Sequence, residues 1–115
     1  MSELIKVEAI IRSQKIDEVK TALDAIGAGS MNVSEVRGRG QQKGIVQNWR
    51  GAEYTVDFIP KTRLELVVKD EFAEKVVDVI CDIASTGNIG DGKIFLSPVI
   101  DAIRVRTKER GDGVL

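Results

Sequence analysis

The stretch LIKVEAIIR, residues 4–12, decides the fold class because apolar and charged side chains alternate along it. Successive side chains of a β-strand point to opposite faces, so the alternation predicts a strand with one buried face. From Lys15 onward a different period follows, and apolar residues return every three or four positions as far as Ile26. That spacing predicts an amphipathic helix, which Gly27 and Gly29 end.

The rest of the chain repeats these two patterns. A second amphipathic helix begins at Glu71 and ends before Gly87. Strands are predicted at SMNVSEVR (30–37), at YTVDFIP (54–60) and TRLELVVK (62–69) with a break or bulge near Pro60, at KIFLSPV (93–99) and, briefly, at AIRVRT (102–107). The order β-α-β-β-α-β plus a short extra strand is that of an α+β, ferredoxin-like split βαβ fold.

Two helices can cover only one face of such a sheet. The other face is predicted to carry Lys6, Glu8, Ile10, Glu65 and Val67, a set too mixed for plain surface. We therefore expect this face to be buried against other copies of the chain.

Composition restricts the function classes. A chain of 115 residues fits one domain, and its net charge of −1 provides no overall attraction to nucleic acid or to an anionic membrane. Any anion site must then be a local cluster. The chain has no histidine, and its single cysteine, Cys81, is predicted to be a buried small apolar side chain. The start, MSELIKVEAI, is no signal peptide, so we expect a cytoplasmic protein that is poorly equipped for catalysis.

The segment between Arg37 and Tyr54, GRGQQKGIVQNWRGAE, does not fit a compact architecture. It contains four glycines and the only tryptophan, and it shows no clear period. Structureless segments of this length are uncommon in small domains and are usually functional or disordered. A plain linker is the alternative, although the segment joins two strands of one domain and tethers nothing.

The stretch GNIGDGKI, residues 87–94, fits the G-x-x-x-x-G-K loop of nucleotide hydrolases, but Ile94 stands where a hydroxyl residue would hold magnesium. The flanking elements are also reversed, because here a helix leads in and a strand leads out. Three glycines within six residues still allow backbone N–H groups to converge on an anion, and Lys93 adds a positive charge.

Two further basic residues support an anion site. Arg104 and Arg106 alternate along the predicted short strand and would point the same way, which suits the oxygens of a polyphosphate. The alternative is a solvated basic edge strand that guards against aggregation. Together with the glycine loop, the pair favours a nucleotide triphosphate site.

Two stretches carry a resemblance to a known family. TGNIGDGKIFLSPV (86–99) and WRGAEYTVDFIP (49–60) resemble the two signatures of the PII nitrogen-regulatory signalling proteins, and the similarity extends from VEAIIR (7–12) to RVRTKERG (104–111). The resemblance implies a single domain over residues 1–115 that forms a ferredoxin-like homotrimer and binds ATP or ADP competitively in clefts between subunits. It also implies a mobile T-loop at 38–54, a B-loop at 85–93 and a C-terminal loop at 104–112.

The same resemblance assigns residues to ligands. It implies nucleotide contacts at Ile10, Asn32, Gly38, Arg39, Gly40, Glu65, Gly90, Asp91, Gly92 and Lys93, and at Arg104 and Arg106 from a neighbouring chain. It implies 2-oxoglutarate contacts at Gly40, Gln41, Gln42, Lys43, Gly44 and Lys61, with Gln42 also a Mg²⁺ ligand. A 2-oxo acid can chelate a hard cation already held by ATP phosphates. An ordinary surface glutamine and a solubilising lysine are the alternatives at Gln42 and Lys61.

Partners are implied in the same way. The T-loop would change shape with the bound metabolite and regulate targets such as ammonium transporters and nitrogen-assimilation enzymes, with Trp49 and Arg50 in contact. Tyr54 matches a tyrosine that a separate nucleotidyltransferase modifies in many members, and an unmodified strand residue is the alternative. No nucleic acid is expected, and membrane association is expected only through a transporter.

Two other classes stay open from the residues alone. RNA-recognition motifs share this element order, but they need aromatic residues on the central strands, and the equivalent strand offers only Phe95. A small enzyme would lack histidine, a nucleophile elbow and an evident metal-ligand cluster, which leaves at most slow, incidental ATP hydrolysis. We expect a regulatory protein rather than an enzyme.

Overall fold

The computed structural model describes residues 3–38, 45–49, 52–56 and 59–115. Its helices and strands are β1 (Leu4–Ile11), α1 (Ile16–Ala25), β2 (Asn32–Gly38), β3 (Ile45–Trp49), β4 (Ala52–Val56), β5 (Ile59–Lys69), α2 (Asp70–Ala84) and β6 (Gly92–Val99). Short 3-10 turns lie at Ser13–Lys15 and Asp112–Val114.

Four of these strands form one antiparallel sheet in the order β2-β5-β1-β6. Its register places Ala9 of β1 opposite Leu64 of β5 on one side and Ile94 of β6 on the other. One helix follows β1 and the other follows β5. This is the ferredoxin-like split βαβ arrangement, so the predicted α+β fold is confirmed.

The hydrophobic core lies between this sheet and the two helices. The predicted alternation is confirmed in β1, and in β5 every second side chain from Thr62 to Val68 is buried. The buried apolar side chains include Val7, Ala9, Ile11, Leu64, Leu66 and Val68 of the sheet and Val19, Leu23, Ala73, Val76, Ile80 and Ala84 of the helices. Full burial of one such large side chain contributes about 1.5–3 kcal/mol, so this layer is the main source of stability.

Both predicted helices are confirmed. Gly27, at a φ of 83°, ends α1, and the following Ala28 N–H donates to the Leu23 carbonyl at 2.9 Å. On α2 the buried Ile80 precedes Cys81, which is exposed, so the predicted burial of this cysteine is wrong. The period of the helix decides this, because the next residue after a core position faces outward. Within the described ranges no helix is long and apolar enough to cross a membrane.

The segment between Arg37 and Tyr54 contains regular structure that its sequence does not reveal. β3 and β4 form a separate antiparallel pair in which Ile45 lies opposite Val56 and Trp49 lies opposite Ala52. Strands of five residues between glycines are too short to show a period, which is why the pattern was missed.

Pro60 does not break β5. The strand runs through it, and Pro60 pairs with Arg37 of β2. On the other side, the pairing of β5 with β1 begins only at Thr62, opposite Ile11. At Pro60, β5 therefore has a partner on one side only. A residue without an N–H is tolerated at such an edge position.

The prediction of a short strand at 102–107 is wrong. Ile103 makes only an isolated bridge with Arg110, and the chain between them turns back on itself. The Arg104 N–H donates to the Glu109 carbonyl at 2.9 Å, and the Lys108 N–H donates to the Arg104 carbonyl at 2.7 Å. These local hydrogen bonds satisfy the backbone without a neighbouring strand.

The sheet face away from the helices carries the predicted mixture of charged and apolar groups. The Lys6 ammonium lies 4.0 Å from the Glu8 carboxylate and 3.8 Å from that of Glu65. Phe95, opposite Glu8, is 54% exposed, and Ile100 beyond β6 is 99% exposed. Burial of this face against other copies stays a prediction, which the exposed apolar side chains support.

Candidate phosphate-binding site

The glycine loop leads from α2 into β6 and depends on backbone angles that favour glycine. Gly87, Gly90 and Gly92 have φ values of 85°, 102° and 111°. Gly92 also passes so close to β1 that an added Cβ would lie 1.9 Å from the Ile10 carbonyl oxygen. The glycines therefore shape the backbone here, as a backbone-built anion site requires.

Asp91 closes the loop from within. Its carboxylate accepts hydrogen bonds from the Thr86 N–H at 2.8 Å, from the Gly87 N–H at 3.0 Å and from the Thr86 hydroxyl. These bonds, with the Thr86 hydroxyl first among them, hold the pKa of Asp91 well below its ordinary value. This carboxylate is thus committed to the loop, and the Asp91 N–H donates to the Asn88 carbonyl at 3.4 Å, so the nucleotide contact at Asp91 stays a prediction.

Arg12, which the sequence analysis did not select, also contacts the loop. Its Nε lies 3.3 Å from Asp91 Oδ1, and its Nη2 donates to the Ile89 carbonyl at 2.9 Å. No pattern in the sequence marks this contact, because the pairing of β1 with β6 creates it. Arg12 directly follows β1, and the last residue of that strand pairs with Gly92 at the exit of the loop.

Lys61 of β5 reaches the same loop. Its Nζ donates to the Gly90 carbonyl. Burial and the nearby Arg12 charge lower the pKa of Lys61, and Asp91 acts in the opposite direction. The residue predicted to bind 2-oxoglutarate therefore lies in contact with the loop predicted to bind phosphate.

Other predicted site residues share the helix-free face of the sheet. Ile10 pairs with Lys93, and Asn32 pairs with Glu65. These pairs bring four predicted nucleotide residues to one face of the sheet. Ile10 lies beside the loop exit, whereas Asn32 lies on β2, the edge strand opposite β6. Gly38 lies apart from them, at the end of β2, opposite Ile59.

The glycine loop and the C-terminal segment lie at opposite ends of β6. Gly92, at the loop exit, pairs with Ile11, whereas Val99 at the other end pairs with Leu4. A strand of this length spans roughly 23 Å. In a single chain, β6 therefore separates the two regions by most of the length of the sheet.

Arg104 and Arg106 belong to the segment at the far end. The Lys69 ammonium lies 3.9 Å from the Asp112 carboxylate and holds this segment beside the end of β5. Arg104 Nη1 donates to Glu109 Oε1 at 3.1 Å, and Arg106 is exposed in the turn. The contacts made within this chain do not bring either arginine to its own glycine loop.

Several predicted residues fall outside the described part of the chain: Arg39, Gly40, Gln41, Gln42, Lys43, Gly44 and Arg50. Trp49 is the last residue of β3, and Tyr54 lies in β4 opposite Gln47. Among the described residues, no three His, Cys, Asp or Glu side chains are grouped so that they could hold a metal ion.

The Asp91 carboxyl is expected to titrate well below the ordinary aspartate value of about 3.9. Folding lowers the pKa of Asp91, so the stability that its ionised carboxylate gives the loop is fully present above the ordinary pKa. This stability is lost as the pH falls through the lowered pKa of the folded state. An NMR titration of the side-chain carboxyl carbon measures this. Thr86→Val removes one donor and should raise the midpoint, and an ordinary midpoint in the unsubstituted protein would contradict the geometry.

The fold and the loop together define a ferredoxin-like domain with a candidate anion site built from a glycine-rich backbone loop that Arg12 and Lys61 contact. A family model described as nitrogen regulatory protein P-II matches residues 4–109. The chain therefore belongs to the P-II family of nitrogen regulatory proteins.

Individual relatives agree with this assignment. Nitrogen regulatory protein P-II 2 of Methanothermobacter thermautotrophicus is 52% identical over 106 residues, which cover 92% of each chain. Nitrogen regulatory protein P-II of Rhodospirillum rubrum is also 52% identical, over 92% of this chain and 95% of its own. The crystal structure of Arabidopsis thaliana PII bound to citrate has a TM-score of 0.78 and 42% identity, and it covers 98% of this chain and 90% of its own.

Family membership decides between the broad function classes. The relatives are named as nitrogen regulatory proteins, so this chain is a regulatory protein rather than an enzyme. The alternative hypothesis of an RNA-recognition motif, which rested on the element order, is therefore no longer needed.

Proposed function

We propose that this protein senses nitrogen, carbon and energy status as a homotrimer that binds ATP or ADP in clefts between its subunits. The observation that carries the proposal is the separation of the glycine loop from Arg104 and Arg106 by the length of β6. A phosphate site that uses both regions needs a second chain. The exposed apolar side chains at Phe95 and Ile100 supply surface for such an assembly.

The charge of the chain outside its helices supports an anionic ligand. Helices α1 and α2 contain eight of the 18 acidic residues but only two of the 17 basic ones, Lys20 and Lys75. The rest of the chain is therefore net positive although the whole chain carries −1. A local excess of positive charge around a cleft raises the concentration of anionic ligands there.

The ligands are proposed to divide between the loop and its neighbours. Phosphates would lie against residues 90–93, with Arg104 and Arg106 from a neighbouring chain. The adenosine part would lie against Ile10, Asn32, Gly38 and Glu65, and Arg39 and Gly40 would also contact the nucleotide. Mg²⁺ would be held by ATP phosphates and the Gln42 side chain, an oxygen donor set that suits it. The effector 2-oxoglutarate would reach the cation near Gly40 to Gly44 and pair its far carboxylate with Lys61.

Support for a carboxylate effector comes from two directions. The Lys61 ammonium already lies in contact with the Gly90 carbonyl, so an effector beside it would touch the phosphate loop. The Arabidopsis relative is bound to citrate, itself a carboxylate ligand. Effector and nucleotide are thus proposed to occupy adjoining positions.

Regulation is proposed to run through the T-loop at 38–54. Bound ATP with 2-oxoglutarate would favour one conformation of this loop and ADP another, and each would suit different partners. Trp49 and Arg50 would contact an ammonium transporter or a nitrogen-assimilation enzyme, and Tyr54 would accept a nucleotidyl group from a separate transferase. The protein would be cytoplasmic and would meet the membrane only through such a transporter.

Calorimetric titration tests the ligand assignment directly. ATP and ADP are expected to bind, and 2-oxoglutarate is expected to release or absorb heat only when Mg²⁺ and ATP are present. The titration of 2-oxoglutarate without nucleotide is the control. No heat with either nucleotide at millimolar concentration, or 2-oxoglutarate binding that is independent of Mg-ATP, would contradict the proposal.

Glu109→Gln is expected to tighten ATP binding by up to about fivefold, since an exposed ion pair contributes at most about 1 kcal/mol. Glu109 pairs with the Arg104 guanidinium and so competes with phosphate for it. Calorimetry of the variant measures the gain. In an Arg104→Gln background the same substitution should have no effect. An unchanged affinity in the single variant would show that Glu109 does not compete.

A further inference from the structure

Two cationic side chains hold successive carbonyls of the glycine loop. Arg12 donates to the Ile89 carbonyl, and Lys61 donates to the Gly90 carbonyl. Arg12 also pairs with the Asp91 carboxylate at 3.3 Å. One guanidinium therefore contacts the loop at two points from the end of β1, a central strand of the sheet.

Peptide planarity turns these contacts into an orientation of N–H groups. In a trans peptide unit, the N–H of one residue points opposite to the carbonyl of the residue before it. Because Arg12 holds the Ile89 carbonyl, the Gly90 N–H points away from the guanidinium. Because Lys61 holds the Gly90 carbonyl, the Asp91 N–H points away from the ammonium and donates to the Asn88 carbonyl at 3.4 Å. The Gly90 N–H is thus turned to the side of the loop away from these cations, where it is left for an anion.

We propose that Arg12 is a positioning residue for the phosphate site, which orients the loop through Asp91 and the Ile89 carbonyl without contacting the nucleotide. The inference rests on the proposed nucleotide function. Two of the guanidinium nitrogens, Nε and Nη2, are already engaged with the loop. The side chain is only 21% exposed, which limits its reach toward a ligand. Arg12 also offsets the charge of Asp91, which would otherwise repel a phosphate.

Single substitutions at Arg12 measure the size of the effect. Arg12→Ala is expected to weaken ATP binding about tenfold, and Arg12→Lys by an intermediate factor because an ammonium lacks the planar fork that reaches both partners. Lys75→Gln removes one positive charge from the exposed surface of α2 and should bind ATP as the unsubstituted protein does. Thermal unfolding of each variant shows whether the fold is kept, and Arg12→Lys serves if Arg12→Ala does not fold.

Asp91→Asn tests how Arg12 acts. If Asp91 were merely a negative charge near a phosphate, its replacement would tighten ATP binding. Because Asp91 pairs with Arg12 and accepts hydrogen bonds within the loop, we expect its replacement to weaken ATP binding several-fold. In the Asp91→Asn background, Arg12→Ala should then weaken binding by less than about threefold, because most of its effect passes through Asp91.

The outcomes separate this inference from the proposed function. Strong non-additivity of the two substitutions supports the positioning role. Fully additive losses mean that Arg12 does not act through Asp91, and unchanged affinity in the Arg12 variants means that it contributes nothing. Either result overturns the inference alone. Failure of the unsubstituted protein to bind ATP overturns the proposed function and the inference with it.

Discussion

Replacing Gly92 by alanine is expected to lower the unfolding temperature by about 10 °C or more and to abolish ATP binding. Two costs add. A side chain at φ 111° is strained by roughly 1–3 kcal/mol, and its Cβ would lie 1.9 Å from the Ile10 carbonyl oxygen. That oxygen belongs to the backbone of a central strand, so β6 would have to move. Thermal unfolding at one fixed protein concentration measures the effect.

Gly87→Ala is the matched control. Gly87 has a φ of 85°, in the same loop, but an added Cβ there meets nothing within 4 Å. This variant pays the conformational cost alone and should unfold at a temperature between those of Gly92→Ala and the unsubstituted protein. Equal losses in the two variants would mean that contact with β1 is irrelevant, and a stable, ATP-binding Gly92→Ala variant would refute the loop geometry.

The double substitution Arg104→Gln and Arg106→Gln is expected to weaken ATP binding by a factor of about 100 to 10,000. Each charge-assisted hydrogen bond to a phosphate contributes about 1.5–3 kcal/mol, and two are lost together. Stability should change little, because Arg104 loses only a solvent-exposed pair with Glu109 and Arg106 is exposed. Calorimetry and thermal unfolding measure the two quantities separately.

Arg110→Gln provides the control for this pair. Arg110 lies in the same segment and pairs with Asp101 at 2.9 Å, so its replacement removes a nearby positive charge without touching the proposed phosphate ligands. Its ATP affinity should stay within about threefold of the unsubstituted protein. If Arg110→Gln weakens ATP binding as much as the double variant, the nucleotide is attracted by the net positive charge of this segment and not by direct contacts with Arg104 and Arg106.

The fold could be predicted because its central elements have one buried face each. β1 alternates along its length, and α1 and α2 repeat apolar residues at helical spacing, so burial and period coincide. The predictions failed where backbone hydrogen bonds rather than burial decide the structure. Residues 102–107 alternate like a strand, yet the contacts of Arg104 with Lys108 and Glu109 close a turn.

The candidate site was predictable in part for a similar reason. Glycine spacing identified the loop, because positive φ angles require that residue at Gly87, Gly90 and Gly92. Arg12 could not be selected, since its partner Asp91 lies 79 positions away and only the pairing of β1 with β6 brings them together. Spacing along the chain carries no information about such a contact.

The central claim is that neighbouring chains share each nucleotide site, and subunit mixing tests it most directly. Lys93→Gln chains and Arg104→Gln/Arg106→Gln chains should each bind ATP poorly alone. Unfolded and refolded together, they should regain about a quarter of the sites, because a mixed ring contains one cleft with Lys93 from one chain and both arginines from the next. Recovery of high-affinity ATP binding, measured by calorimetry on the mixed assembly, is the predicted result. No recovery, in assemblies that tagged pull-down shows to be mixed, would contradict the account.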